Sequence, residues 1–309
     1  MQRRRLGRTG LQVSAMGLGT WQLGGEWGKQ FSRTEVNQLV DRAGELGINL
    51  VDTAECYGDH LAEALIGSAI NGQRGDWIVA TKFGHRFHPE RMSGDGWSLG
   101  SVRSEHWSAA QVTEQLERSL AALRTDYVDL YLFHSGADQV FDQDELWTAL
   151  NKQVRLGKIR YLGIALAASD NLHQTARATQ VGASVIELTY NRLNRAAEHA
   201  VFASCEQQDL GVLAREPLAN GYLTGRYRPG AGITSPDDWR AGMPEQEVQD
   251  RLDAVEQIRV SEVPPGLSMA AWALAWCLRQ PAVDAVITGV RSEHQLQSSA
   301  AAADLAGRP

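Results

Sequence analysis

The sequence predicts an α/β fold of the (β/α)8 barrel class, the TIM barrel, and three observations support this prediction. Eight short apolar runs alternate with longer stretches of helical periodicity. The runs are rich in Val, Ile and Leu without strict alternation, as expected of parallel strands buried on both faces. No change of composition divides the 309 residues, a length that one such barrel can reach. We therefore expect a single domain over residues 1–309.

An open doubly wound sheet is the alternative for alternating strands and helices. That fold normally carries a glycine-rich phosphate-binding turn directly after its first strand, at the start of a helix. Here the segment Gly17-Leu18-Gly19-Thr20-Trp21 has the wrong glycine spacing, and no helix follows at once. The closed barrel is therefore favoured.

Strands are predicted at the short apolar runs. In a barrel of this class the strands are parallel, so their carboxyl ends meet at one rim. The predicted strands are Ser14–Leu18, Ile48–Thr53, Trp77–Lys82, Tyr127–Phe133, Tyr161–Ala165, Ser184–Thr189, Gly211–Arg215 and Ala285–Gly289.

Helices are predicted between these strands. The first opens at Ser32 with a possible capping box closed by Glu35, followed by apolar residues at helical spacing. An amphipathic helix also follows the second strand and reaches Gly67. The remaining predicted helices are Ser108–Leu123, Asp144–Leu156, Asn171–Gln180, Arg195–Gln207, Ser268–Arg279 and Ser292–Ala303.

Two connections, Gly84–Trp107 and Ala219–Gly266, are too long to be plain loops. Each follows a strand and therefore lies at the C-terminal mouth, where barrel enzymes keep their active sites. Either one alone could be surface decoration, but two on the same rim favour a role in enclosing a substrate.

Charge and composition exclude several classes of function. The net charge is −7, and no basic run is interleaved with aromatic residues, which argues against binding nucleic acid or an anionic membrane. No apolar segment follows Arg3-Arg4-Arg5 as in a secretory signal, and the longest apolar run, Met269–Leu278, is too short to span a bilayer. Three widely spaced cysteines suit a reducing compartment and lack zinc-site spacing. We therefore expect a cytoplasmic protein without a metal, acting on a small molecule; an oligomer is compatible with the sequence.

Four polar residues stand at or just beyond the ends of three consecutive predicted strands. Asp52 ends the second strand with Tyr57 just beyond it, Lys82 ends the third, and His134 ends the fourth. Each has an ordinary structural explanation: a turn cap, a lysine reaching solvent, or a satisfied core histidine. Their convergence on one rim favours a joint catalytic role.

The chemistry of these residue types points to proton and hydride transfer. A tyrosine with a pKa near 10 is a poor acid at neutral pH, and an adjacent ammonium favours the phenolate. A carboxylate keeps the ammonium charged, and a histidine can donate to a carbonyl oxygen as negative charge develops there. Such acid catalysis contributes roughly 10²–10⁴ in rate. Because no side chain delivers hydride, a nicotinamide cofactor is implied.

Six segments together resemble the aldo-keto reductase superfamily, most closely its bacterial branch related to the potassium-channel β subunits. They are RRLGRTGLQVSAMGLGTW, VDTAECYG, VATKFG, DYVDLYLFH, LAREPLANGYLTG and VITGVRSEHQL, and the resemblance runs from Arg4 to about Asp304. It implies a catalytic tetrad of Asp52, Tyr57, Lys82 and His134. In that tetrad Tyr57 is the general acid for carbonyl reduction and the base for alcohol oxidation.

Cofactor contacts are expected in the loops after strands seven and eight, where such barrels bind phosphate. Glycines in the first loop let the backbone approach a pyrophosphate, and the second leads into a helix N-terminus. Arg291 suits a bidentate contact to a 2′-phosphate, as the resemblance also implies, which predicts NADP(H). The predicted cofactor residues are Gly19, Thr20, Trp21, Asp52, Glu187, Arg215, Pro217, Leu218, Gly221, Leu223, Gly225, Arg226, Gly289, Val290, Arg291, Gln295 and Ser299.

Substrate contacts are predicted from residues at the mouth. Trp27 and Trp97 could line a pocket or simply pack, and Trp21 is the best candidate because its motif adjoins the cofactor in the family. Cys56, next to Tyr57, is either a redox-sensitive thiol or a small buried filler. The predicted substrate residues are Trp21, Trp27, Tyr57, Phe83 and His134.

Three departures from the family pattern concern the cofactor. Ala165-Leu166 stands where Ser-Asn is usual, Glu187 where Gln is usual, and Ser298-Ser299 where Glu-Asn is usual. Each alters a hydrogen bond of about 0.5–1.5 kcal/mol, so we expect either a lower cofactor affinity or a carboxamide that is held differently. Because the tetrad is intact, turnover is still expected. An ionised Glu187 would favour the oxidised cofactor unless it pairs with an arginine instead.

The expected function is that of an NADP(H)-dependent aldo-keto reductase interconverting a carbonyl and an alcohol. Two alternatives remain open: an NADP(H)-binding sensor similar to a channel β subunit, and a sugar or cyclitol dehydrogenase using NAD.

Overall fold

The barrel closes as the sequence predicts. The computed structural model describes residues 1–88, 90, 102–230 and 239–306. Its barrel is closed by eight strands that follow one another around the barrel in chain order, and every neighbouring pair is parallel. These strands are β3 (Met16–Gly19), β4 (Leu50–Asp52), β5 (Ile78–Phe83), β8 (Val128–His134), β9 (Ile159–Ala165), β10 (Ala183–Thr189), β11 (Gly211–Arg215) and β12 (Ala285–Gly289).

The N-terminal segment forms a hairpin that the apolar pattern did not predict. Strands β1 (Arg3–Arg5) and β2 (Gln12–Ser14) pair antiparallel, so Ser14 ends the hairpin and the barrel strand begins at Met16. The hairpin carries Leu6 and Val13, both fully buried, into the apolar cluster that fills the barrel interior. The predicted first strand was therefore two residues early at its start.

The helices surround the barrel. The capping boxes at Ser32 and Ser108 are both formed, which confirms the predicted starts of two helices. The helices are α1 (Arg33–Glu45), α2 (Leu61–Ala69), α3 (Ala109–Leu123), α4 (Asp138–Phe141), α5 (Asp144–Arg155), α6 (Leu172–Ala176), α7 (Val201–Gln208), α8 (Glu245–Ser261), α9 (Met269–Leu278) and α10 (Glu293–Ala303).

Several predicted segments differ in detail. The predicted helix Asn171–Gln180 is shorter, and Arg195–Gln207 divides into the 3-10 turn Ala196–Glu198 and α7. The connection Ala219–Gly266 contains α8, whose apolar residues pack on α9. The connection Gly84–Trp107 contains a second hairpin, β6 (His85–Phe87) with β7 (Arg103–Glu105). Trp97 lies outside the described residues.

Two further observations bear on the sequence predictions. Among the described residues, no helix combines the length and apolarity needed to cross a bilayer. The three cysteines are buried and free of disulfides.

Candidate active site

Strand β4 and the turn after it position two members of the predicted tetrad. Asp52 is the last residue of β4, and its carbonyl accepts hydrogen bonds from the Thr20 backbone N–H at 3.0 Å and the Thr20 hydroxyl at 2.9 Å. The Tyr57 N–H donates to the Ala54 carbonyl at 3.2 Å, which forms a tight turn. This turn brings the tyrosine back over the strand end.

Lys82 joins these residues inside the barrel mouth. Its side chain is 1% exposed, and its Nζ donates to Asp52 Oδ1 at 2.6 Å and to the Thr53 carbonyl at 2.9 Å. The same Nζ also donates to the Tyr57 hydroxyl oxygen at 3.5 Å. The structure therefore brings Asp52, Tyr57 and Lys82 into contact, as the strand-end pattern predicts.

The pKa values follow from burial and from these charges. Burial raises the pKa of the Tyr57 phenol well above its ordinary value, and the Lys82 ammonium offsets this only in part. For Lys82, burial alone would lower the pKa, but the charges of Asp52 and Glu187 outweigh it and raise the pKa. We expected the ammonium to dominate at Tyr57; desolvation dominates instead, so the phenol holds its proton at neutral pH.

His134 ends β8 and faces the tyrosine. The two ring centroids are 6.2 Å apart in an edge arrangement. His134 Nδ1 lies 3.7 Å from both Cys56 Sγ and Glu55 Oε1. Burial lowers the pKa of His134 well below its usual range, and the positive charge of Lys82 adds to this. The ring is therefore neutral, with one N–H to donate.

Glu187 places a second carboxyl group beside the lysine. Its Oε1 lies 3.7 Å from Lys82 Nζ and 3.8 Å from Arg215 Nε. Burial, followed by the negative charge of Asp52, raises the pKa of Glu187 to about 8. Burial therefore favours the protonated form of Glu187, whereas an ionised Glu187 was expected from the sequence, and Arg215 lies nearby as the alternative allowed.

The predicted phosphate-binding residues lie on neighbouring strands. Strand β12 lies between β11 and β3, with Gly289 paired to Gly19. A Cβ atom at Gly289 would meet Gln22 Oε1 at 2.8 Å. Gln22 in turn donates to the carbonyls of Gly19 and Val290, at 2.8 and 2.9 Å. The loops after β11 and β12, both predicted to bind phosphate, therefore leave adjacent strands at the barrel mouth.

Arg291 begins the segment that leads into α10. Its Nη2 donates to the Trp27 carbonyl, and its guanidinium lies 5.9 Å from the Trp27 ring centroid. Its backbone N–H donates to Gln295 Oε1 at 2.8 Å. Ser299 lies further along the helix and is half-buried, whereas Ser298 is exposed.

The loop after β11 contains the other predicted phosphate contacts. Arg215 Nη2 donates to the Leu166 carbonyl at 2.9 Å. In the turns that follow, Gly221 adopts a φ of +92°, a value that favours glycine. Leu223 is fully buried in the apolar cluster with α8 and α9, so only its backbone can approach a ligand. Pro217, Leu218, Gly225 and Arg226 belong to the same segment.

The predicted substrate residues differ in exposure: Trp21 and Trp27 are half-buried, whereas Phe83 is fully buried. Trp21 stacks near Tyr57, with centroids 6.3 Å apart, and meets Trp27 edge-on at 5.0 Å. Both tryptophans are half-buried at the mouth. Phe83, by contrast, is fully buried and packs on Tyr131, with centroids 4.8 Å apart, and its contact with a substrate stays a prediction.

Four residues that the sequence analysis missed surround the site. Glu55 and His85 are neighbours in sequence of Tyr57 and Lys82, so their proximity could have been noticed. Arg103 forms an ion pair at 3.5 Å with the fully buried Glu26, and it lies 5.9 Å from the Trp21 ring centroid. Only hairpin β6–β7 carries Arg103 to the mouth, so no local pattern could reveal it.

The segment Ala165-Leu166, where a departure from the family pattern is predicted, lies at the end of β9. Ala165 and Leu166 are buried apolar residues, so no side-chain amide or hydroxyl follows β9 there. The Leu166 N–H donates to the Glu187 carbonyl at 2.8 Å, so this backbone group has its hydrogen-bond partner within the barrel.

Comparison with known proteins supports one family. The profile of the Aldo/keto reductase family matches residues 15–306. "Uncharacterized oxidoreductase YqkF" of Bacillus subtilis is 32% identical over 308 residues, covering 98% of this chain and 92% of that protein. "Probable voltage-gated potassium channel subunit beta" of Oryza sativa subsp. japonica is 29% identical over 320 residues, covering 99% and 92%. The holo form of aldo-keto reductase AKR11C1 from Bacillus halodurans superimposes with a TM-score of 0.79 at 29% identity, covering 98% and 91%. The chain therefore belongs to the aldo/keto reductase family of oxidoreductases.

Proposed function

We propose that this protein interconverts an aldehyde or ketone and the corresponding alcohol with NADP(H), and that Tyr57 is the general acid and base. One observation carries the proposal. The buried ammonium of Lys82 joins Asp52 at 2.6 Å and the Tyr57 hydroxyl at 3.5 Å, beside a neutral histidine at the barrel mouth. This arrangement suits reversible proton transfer to an oxygen.

Each side chain has a distinct part in that transfer. In reduction, the Tyr57 hydroxyl gives its proton to the carbonyl oxygen, and Lys82 stabilises the phenolate that remains. His134 donates its single N–H to the same oxygen as negative charge develops. Asp52 holds the ammonium in place. In alcohol oxidation the phenolate accepts the proton instead.

The residues present fit a nicotinamide cofactor, which supplies or accepts hydride when bound. Glu187 Oε2 is buried and has no hydrogen-bond partner among the described residues, so it can accept from a carboxamide NH₂. At the other end, Arg291 at the start of α10 suits a phosphate. Glu187 lies in β10 and Arg291 follows β12, and strand β11 lies between these two strands.

Arg291→Ala tests the choice between NADP(H) and NAD(H). We expect the dissociation constant for NADPH to rise by about one to two decades, because the variant loses charge-assisted hydrogen bonds of about 1.5–3 kcal/mol. NADH, which lacks the 2′-phosphate, should be little affected. Fluorescence titration of both cofactors gives the two constants, and Arg279→Ala, at an exposed arginine beyond α9, is the control. Equal weakening of both cofactors would refute a specific 2′-phosphate contact.

Glu187→Gln tests the influence of the second carboxyl group on the cofactor. Below a pH of about 8 Glu187 is mostly neutral; above it, the carboxylate attracts the positive ring of NADP⁺. In the parent protein the preference for NADP⁺ over NADPH should therefore grow as the pH rises through about 8, by up to about tenfold, or about 1.4 kcal/mol. Glutamine cannot ionise, so the ratio of dissociation constants should not change with pH in the variant. The same pH dependence in both proteins would assign it to another group.

The proposed function itself is tested by steady-state assays. Aldehydes and ketones are offered with NADPH or NADH, and alcohols, sugars and cyclitols with NADP⁺ or NAD⁺. Turnover that prefers NADP(H) supports the proposal. Turnover of polyols with NAD⁺ alone favours the dehydrogenase alternative. Tight NADPH binding without turnover favours a sensor, a role suggested by the likeness to a channel β subunit.

A further inference from the structure

Glu55, Cys56 and His134 form a cluster of potential metal ligands next to the proposed catalytic tyrosine. One donor atom of each residue lies within 4.8 Å of the others. Cys56 is fully buried, and the side chains of Glu55 and His134 are 1% and 12% exposed. Such a set combines a thiol, an imidazole and a carboxyl group in a protected position.

The spacing of the donor atoms matches a tetrahedral zinc site. Cys56 Sγ and Glu55 Oε1 each lie 3.7 Å from His134 Nδ1. Zinc bonds of about 2.0–2.3 Å at tetrahedral angles separate ligand atoms by roughly 3.3–3.7 Å. Movements of a few tenths of an ångström would therefore bring these atoms to a common ion.

Two buried polar atoms beside the cluster lack partners. Glu55 Oε2 and His85 Nδ1 are buried and have no hydrogen bond among the described residues. His85 Nδ1 lies 4.0 Å from Glu55 Oε1, and the ring centroids of His85 and His134 are 5.2 Å apart. Since buried polar atoms are normally paired, their isolation is a second sign of a ligand. His85 therefore lies next to the three ligand candidates, with its Nδ1 facing Glu55.

We propose that Glu55, Cys56 and His134 bind one Zn²⁺ ion, with a water in the fourth position. The Cys56 thiol releases its proton on binding, and a thiolate with an imidazole selects zinc over magnesium or calcium, which prefer oxygen ligands. The expectation of a metal-free protein rested on cysteine spacing. That spacing could not reveal this site, because two ligands lie in the turn after β4 and the third ends β8.

Zinc at this site acts on turnover through His134. With Nδ1 bound to the ion, the ring is held toward Cys56 and cannot adjust to a carbonyl oxygen. Zinc is therefore an inhibitor of the reductase, and this effect, unlike binding itself, rests on the proposed function. The required position of the ring is strict, because small misplacements of catalytic groups cost large factors in rate.

Cobalt titration of the chelator-treated protein tests the site without relying on activity. Co²⁺ is expected to bind once per chain and to give a thiolate-to-metal charge-transfer band together with tetrahedral d–d bands, both abolished by Zn²⁺. Cys56→Ser should remove the thiolate band and weaken binding at least tenfold, and Glu55→Gln should weaken binding while keeping the band. Cys205→Ser, at a buried cysteine in α7, is the matched control and should behave like the parent. No thiolate band in the parent, or a band that persists in Cys56→Ser, would overturn the site.

Turnover measurements test the coupling to His134. Zn²⁺ is expected to slow the parent and the Cys205→Ser control, with recovery on adding EDTA. Cys56→Ser and Glu55→Gln should be resistant, each compared with its own zinc-free rate. Zinc binding that leaves the parent at full rate would overturn the inhibitory role while supporting the site. Complete lack of carbonyl turnover would contradict the proposed function and leave the cobalt result to decide the site.

Discussion

Tyr57→Phe is expected to lower kcat for carbonyl reduction by roughly 10²–10⁴, the usual contribution of a positioned general acid. The substitution keeps the ring that lies 6.3 Å from Trp21 and removes only the hydroxyl near Lys82. Burial raises the pKa of Tyr57, so in the parent protein the hydroxyl carries its proton through neutral pH. NADPH affinity should be little changed. Stopped-flow measurement of cofactor oxidation, with a fluorescence titration of NADPH, separates the two effects.

Tyr131→Phe is the control for this result. Tyr131 is a fully buried tyrosine, and its hydroxyl donates to the Val112 carbonyl at 3.4 Å, its one side-chain hydrogen bond among the described residues. Its removal should cost about 0.5–1.5 kcal/mol of stability at most and leave turnover near the parent value. A Tyr57→Phe enzyme that reduces a good aldehyde at the parent rate would show that another group is the acid.

Lys82→Met is expected to impair both turnover and stability. The variant removes the ammonium that offsets the desolvation of the Tyr57 hydroxyl, so the phenolate forms less readily and alcohol oxidation suffers more than reduction. It also leaves the buried Asp52 carboxylate without the partner at 2.6 Å. Breaking a buried ion pair in this way costs about 3–5 kcal/mol. Urea denaturation and kcat in both directions are the measurements.

The double variant Lys82→Met with Asp52→Asn separates the two consequences. It removes both charges of the pair, so much of the lost stability should return while turnover stays low. A single variant as stable as the parent at neutral pH would mean that the pair is not held in a low-dielectric environment.

Local pattern was enough to predict the architecture and the polar groups that meet at the barrel mouth. Apolar runs without strict alternation reflect strands that are buried on both faces, and all eight of these runs became barrel strands. Strand-end positions placed Asp52, Lys82 and His134 on one rim, because parallel strands of a barrel end together. The capping boxes at Ser32 and Ser108 depend on neighbours three residues away, so they too were visible in the sequence.

Long-range packing decided what local pattern could not. The N-terminal hairpin is stable because Leu6 is buried inside the barrel, and Phe83 belongs to the core because it packs on Tyr131. The balance between desolvation and charge at Tyr57 and Glu187 depends on how completely the barrel excludes water, which no sequence pattern measures. The sequence by itself thus determined which groups meet at the mouth. The tertiary structure alone decided their protonation and added Glu55, His85 and Arg103 from outside the recognised motifs, because burial and contact between distant segments exist only in the folded chain.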